Sequence, residues 1–168
     1  MTPRLLVAGV GNVFLSDDAF GVEVARRLAA RPPRPGVEVA DYGIRGVHLA
    51  YQLLDGYDAL ILLDATPLGG APGTLYVIEP REQPPQAVVH DAHSMEPGSV
   101  LALLDALGAR VGRVVVVGCE PARLEEGMGL SDPVAAAVPD AVDLVAELIE
   151  ECLQTAGQEA PRPGPRRK

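Results

Sequence analysis

The chain has 168 residues, room for one domain with a real core, and 48% of them are hydrophobic while only 4% are aromatic, so that core is aliphatic. A formal charge of −9, with basic residues clustered at Arg162, Arg166, Arg167 and Lys168, argues against nucleic acid as the main partner, because phosphate binding needs a basic stripe. No run approaches the roughly 20 apolar residues of a membrane span, and the two cysteines, Cys119 and Cys152, form no CxxC pair, which points to a reducing, cytoplasmic setting.

Along the chain, the apolar run Leu5-Leu6-Val7-Ala8 reads as a buried strand, and the turn Gly9-Val10-Gly11-Asn12 ends it. The glycines and Asn12 also speak against reading residues 1–15 as a signal peptide. Asp17 and Asp18 then open a helical pattern over residues 19–28, where the helix dipole favours acidic side chains. Residues 36–41 form a second strand with partial alternation. Residues 46–54 place Val47, Tyr51 and Leu54 at helical spacing, with Leu53 flanking. The continuous apolar run 59–63 ends in Asp64, as expected of a central parallel strand covered on both faces. Residues 74–79 alternate as a strand, 80–97 are polar and proline-bearing and read as a loop, and 98–107 repeat at helical spacing. A further buried strand covers 113–118. A glycine-punctuated loop leads to Ser131-Asp132-Pro133, a cap followed by proline at the first helical position. That helix is expected to kink or restart at Pro139 and to run to about Gln154.

Strands alternating with helices predict an α/β fold, a three-layer α/β/α sandwich with a central, mostly parallel twisted sheet of about five strands. One catalytic domain is expected over residues 1–156, with a solvated Pro/Arg-rich tail at 157–168. In such a sheet the loops at the carboxyl ends of the strands converge on one rim, where ligands bind. Asp17 and Asp18, Asp41 and Asp64 all fall there, and the loop with His90 and His93 joins them if it folds over that rim.

Three chemistries compete for the rim. Gly9-x-Gly11 after a strand, with Asp41 downstream, echoes a dinucleotide fingerprint, yet Phe14 replaces its third glycine and two carboxylates face the place of the pyrophosphate. Asp18, Asp64 and His93 offer two oxygen ligands and one imidazole to a divalent ion such as nickel, zinc or iron, with positions left open for substrate or water. Each has a plain alternative: Asp18 can cap a helix, Asp64 can end a strand, and a loop histidine can simply be solvated. Nucleophilic catalysis lacks a motif, because Ser16, Ser94, Ser131 and Cys119 lie in no G-x-S-x-G elbow.

The series from Gly9 to Gly21 (GVGNVFLSDDAFG), Asp41-Tyr42-Gly43-Ile44-Arg45-Gly46, Leu62-Leu63-Asp64-Ala65, His93, Gly118-Cys119-Glu120-Pro121 and Gly129-Leu130-Ser131 resembles the hydrogenase maturation endopeptidases, over about residues 4–150. The resemblance implies a protease that trims the carboxyl-terminal extension of a nickel–iron hydrogenase large-subunit precursor. Asp18, Asp64 and His93 are then both the catalytic set and the ligands of nickel supplied by the substrate, the protein acting as a cytoplasmic monomer. Relatives often carry glutamate where this chain has Asp18, and in the stretch Tyr42-Gly43-Ile44-Arg45 many have a small residue and threonine after the glycine, where this chain has the bulkier Ile44 and Arg45. The rival reading on the same scaffold is a non-proteolytic, nickel-dependent checkpoint or chaperone for that precursor, and a nucleotide module ranks third.

Overall fold

The structure is a computed structural model that describes residues 2–79, 106, 108 and 111–158. Five strands form one sheet: β1 (Leu5–Val10), β2 (Val37–Gly43), β3 (Tyr57–Ala65), β4 (Leu75–Ile78) and β5 (Val111–Cys119), in the order β2-β1-β3-β5-β4. The first three neighbouring pairs are parallel and only β4, at an edge, runs antiparallel. This is the mostly parallel α/β sandwich that the strand–helix alternation predicts. β1 is buried along its whole length, and β3 at every position but one. These are the two continuous apolar runs that carried no alternation in the sequence.

The faces divide by parity. Leu5 and Val7 of β1, with Ile61 and Leu63 of β3, point toward α1 (Phe20–Ala29) and α3 (Asp132–Gln158). Leu6, Ala8, Leu60 and Leu62 point toward α2 (Gly46–Leu53). Removing a large buried side chain such as Leu63 costs about 2–5 kcal/mol, by lost transfer energy and the cavity left behind.

Three local expectations change. Asp17 and Asp18 do not begin the α-helix: they sit in a separate 3₁₀ turn, Ser16–Ala19, ahead of α1. α2 forms where expected, but it buries Leu49, Ala50 and Leu53, while Val47, Tyr51 and Leu54 face outward. α3 passes through Pro139 unbroken and continues to Gln158. Its buried stripe, Val134, Val138, Ala141, Val145 and Leu148, recurs at helical spacing on both sides of the proline, so packing offsets the lost backbone hydrogen bond. The 98–107 helix and the 159–168 tail fall outside the described residues, apart from 106, which is helical.

α1 approaches the carboxyl ends of β1 and β3 closely. A methyl group on Gly21 would stand 2.0 Å from the Leu63 carbonyl oxygen and 2.7 Å from that of Val10, so only glycine allows this approach. The packing carries the 3₁₀ turn to the sheet's rim, against β3.

Candidate active site

The rim is built by carboxylates with different duties. Asp17 is fully buried and spent on structure. Its Oδ2 accepts the N–H groups of Ala122 (2.8 Å) and Arg123 (3.1 Å) and the Ser131 hydroxyl (2.8 Å), while Oδ1 accepts the Ser131 N–H at 2.7 Å. Burial raises its pKa, but these hydrogen bonds outweigh it and hold the carboxyl below its ordinary value. The same turn is tied to the β5–α3 loop by backbone bonds from Ser16 to Gly127 (2.9 Å) and from Gly127 to Phe14 (2.9 Å), and by the Ser16 hydroxyl on the Glu125 carbonyl (2.8 Å). Ser16 itself takes φ +52°, a left-handed conformation uncommon for residues other than glycine. These ties hold it there.

Asp18, next in the chain, is only half-buried. Its Oδ2 accepts the Asn12 N–H at 2.7 Å. Burial pushes its carboxyl above the ordinary carboxylate value, against the pull of that one bond. Its backbone fills the glycine turn: a methyl group on Gly11, which has φ +136°, would meet the Asp18 carbonyl oxygen at 1.8 Å. The space that a dinucleotide fingerprint keeps for pyrophosphate is therefore occupied by the chain's own backbone.

Asp64 is the last residue but one of β3, the strand beside β1, and is 4% exposed. Its Oδ1 accepts the N–H of Ala65 at 2.8 Å. Two residues on, Thr66 places a buried hydroxyl that has no hydrogen-bond partner among the described residues, packed against Gly118 of β5. Asp41 pairs with Arg26 of α1 at 3.5 Å, a surface ion pair. The structure thus brings Asp18, in the 3₁₀ turn that follows β1, and Asp64, in the adjacent strand β3, to one end of the sheet. His93, the third residue of the expected set, and His90 lie outside the described residues. Among the described residues no three His, Cys, Asp or Glu side chains form a metal-holding group.

Cys119 and Cys152 are free, buried core residues, and burial lifts the Cys119 thiol to about 11, which removes it as a nucleophile.

Two further rim residues carry structural weight that the sequence did not reveal. Ser131 does occupy a cap, since the Ala135 N–H donates to its carbonyl at 2.8 Å, but its hydroxyl goes to Asp17. Glu120, 5% exposed, accepts the N–H groups of Leu68 (2.8 Å) and Gly69 (3.0 Å) and the Tyr76 hydroxyl (3.0 Å), fixing the loop that follows Asp64. The backbone bond from Leu68, joined by Gly69 and Tyr76, overcomes burial and holds the Glu120 carboxyl below its usual range. Asp17 and Glu120 are the bolts of the rim, and Asp18 and Asp64 stand at the same end of the sheet.

Comparison with known proteins agrees with this geometry. Residues 22–148 match the family model described as hydrogenase maturation protease. The chain is 32% identical over 151 residues to the hydrogenase 2 maturation protease of Escherichia coli K12, covering 88% of this chain and 92% of that protein. It is also 32% identical over 151 residues to the hydrogenase expression/formation protein HupD of Rhizobium leguminosarum, covering 88% of this chain and 74% of that one. In structure it superimposes on the E. coli hydrogenase maturating endopeptidase HybD with a TM-score of 0.74 at 31% identity, covering 88% and 93% of the two chains. A hydrogenase maturation protease from Thermococcus kodakarensis gives 0.66 at 27% identity, covering 90% and 92%. The ordered motifs, the sheet and its rim, and these likenesses meet in one conclusion: the chain belongs to the hydrogenase maturation protease family.

Proposed function

We propose that this protein is an endopeptidase that removes the carboxyl-terminal extension from the large-subunit precursor of a nickel–iron hydrogenase, and that Asp18, Asp64 and His93 bind nickel already carried by that precursor. One contrast carries the reading. Of the adjacent pair at the rim, Asp17 is consumed by four hydrogen bonds while Asp18 is half-buried with its carboxyl pushed up, beside Asp64 on the next strand. A turn so firmly fixed has a reason to present its second carboxylate in one geometry.

Carboxylate oxygens with an imidazole nitrogen suit a borderline divalent ion. When bound, the ion supplies Lewis acidity that polarises a peptide carbonyl or lowers the pKa of water. Asp18 and Asp64 would offset the cation's charge, and the Glu120-fixed loop would keep the end of β3 in place for the incoming chain. The protein works as a monomer in the cytoplasm; its two cysteines are buried and free, in keeping with a reducing setting. Among the described residues no helix is long and apolar enough to cross a membrane.

The test is mass spectrometry of nickel-loaded and nickel-free precursor after incubation with the enzyme. Loss of a short carboxyl-terminal peptide from the loaded form alone is the expected result. Binding of the loaded precursor with its mass unchanged would replace the protease by a nickel-dependent checkpoint.

A further inference from the structure

The turn that carries Asp18 is gripped by the chain segment 122–131, and the grip is of two kinds. Backbone bonds make the first. The Asp17 N–H donates to the Arg123 carbonyl at 3.2 Å, the Ser16 N–H to the Gly127 carbonyl and the Gly127 N–H to the Phe14 carbonyl, both at 2.9 Å. Many sequences following this path could make them. Side chains make the second. Ser16, 3% exposed, donates its hydroxyl to the Glu125 carbonyl at 2.8 Å. The Ser131 hydroxyl donates to Asp17 Oδ2 at 2.8 Å, across 114 positions of chain.

The Ser131 hydroxyl exceeds what the buried charge of Asp17 requires. Without it, Oδ2 still accepts the Ala122 and Arg123 N–H groups and Oδ1 the Ser131 N–H, so neither oxygen is orphaned. What its loss removes is the side-chain bond that sets this carboxylate against the start of α3. Ser16 is likewise costly as mere structure. Among the described residues it is the one non-glycine residue with positive φ, and such strain persists where the surroundings over-determine it, most often beside a functional site. Asp17 and Asp18 share one planar peptide unit, with Cα atoms about 3.8 Å apart, so a shift of Asp17 is passed on to Asp18.

We propose that Ser131 and Ser16 are positioning residues for the cleavage reaction, their hydroxyls holding the 3₁₀ turn in the setting that aims the Asp18 carboxylate at the substrate. This rests on the proposed function, in which Asp18 meets the precursor. Both serines act through Asp18, with no bond of their own to the reacting atoms.

The experiment measures kcat and KM for cleavage of nickel-loaded precursor by wild type, Ser131→Ala, Ser131→Thr, Ser16→Gly and Tyr57→Phe, well below every melting midpoint. Ser131→Ala should lower kcat at least about tenfold and leave KM within about threefold, since a misaimed carboxylate still meets bound precursor but not in the geometry of the transition state. Ser131→Thr keeps the hydroxyl and should restore kcat to within about twofold of wild type. Ser16→Gly takes up φ +52° without strain and loses only the hydroxyl, so it shows the same loss of kcat even if Ser131→Ala melts early. Tyr57→Phe is the stability control: it deletes one hydroxyl at the opposite end of the sheet and should leave both constants unchanged. A kcat within about twofold of wild type in Ser131→Ala or in Ser16→Gly, with Asp18→Asn inactive, removes that serine from the role and leaves the proposed function standing. Equal losses in Ser131→Ala and Ser131→Thr, or a loss of the same size in Tyr57→Phe, overturn the positioning role as well. Failure of wild type to cleave the loaded precursor, or wild-type cleavage by Asp18→Asn, removes the proposed function and this inference together.

Discussion

The two ends of the sheet are built to opposite specifications. At the amino end, the Arg4 guanidinium lies 4.6 Å from the centre of the Tyr57 ring and 3.6 Å from Glu38. The Tyr57 hydroxyl donates to Glu38 at 2.7 Å and accepts from Gln52 at 2.8 Å, and the Arg4 N–H donates to Asp58 at 2.7 Å. Here α2, β2 and β3 are joined by groups that satisfy one another. The carboxyl end holds instead a left-handed Ser16, an Asp18 carboxyl raised by burial, a buried Thr66 hydroxyl without a partner among the described residues, and bare Phe14 and Met128. Strain and unmet polar groups gather where a protein meets its substrate, and the rest of the fold must hold them. In this molecule Asp17 and Glu120 do the holding.

Substitutions can break that contrast, and the largest effect belongs to the groups assigned to chemistry. Alanine at Asp64 or at His93 should abolish precursor cleavage while leaving the circular dichroism spectrum and cooperative melting in place. Wild-type cleavage by either variant removes that residue from the site. Next comes Asp17→Ala, which strips four donors of their acceptor and should cost about 3 kcal/mol or more in urea unfolding, with cleavage lost as well. A cost under about 1 kcal/mol would mean that the turn is held by its backbone bonds alone.

The pH dependence of stability follows from the two bolts. The folded-state pKa values of Asp17 and Glu120 lie below their ordinary values, so their contribution is present above about pH 4 and is lost as pH falls through the lowered values. Unfolding midpoints recorded from pH 6 down to pH 2 should fall in that window, and less steeply in Asp17→Asn. Asp18 has the opposite sign. Its raised pKa means that its ionised form costs stability at neutral pH, so Asp18→Asn should raise the melting midpoint slightly while cleavage is lost. A lower midpoint would show Asp18 to be a structural cap. The smallest effect is expected at the amino end, where Tyr57→Phe deletes one hydroxyl from a matched network and should cost about 1 kcal/mol without touching KM or kcat.

The sequence made the fold legible where one force dominated. Runs such as 59–63 bury both faces and read as central strands without ambiguity, and glycine marks where β1 turns toward α1. α2 shows the limit. Val47, Tyr51 and Leu54 share helical spacing just as Leu49, Ala50 and Leu53 do, so the period is plain but the phase depends on the sheet beneath. The site divides the same way. The placement of Asp18 after β1 and of Asp64 near the end of β3 was legible, because strand ends announce themselves. The partnership of Asp17 with Ser131 spans 114 positions and leaves no local pattern, and Glu120 gives no sign of the loop it clamps.

If the substrate brings the nickel, the isolated protein should hold nickel only weakly, and equilibrium dialysis that recovered a tight stoichiometric ion would contradict this. The most direct measurement is the nickel X-ray absorption spectrum of loaded precursor, alone and bound to a cleavage-deficient Asp18→Asn enzyme. One added imidazole nitrogen and an added oxygen donor are expected on binding, with the nitrogen lost in His93→Ala. A nickel spectrum that does not change when the complex forms would contradict it.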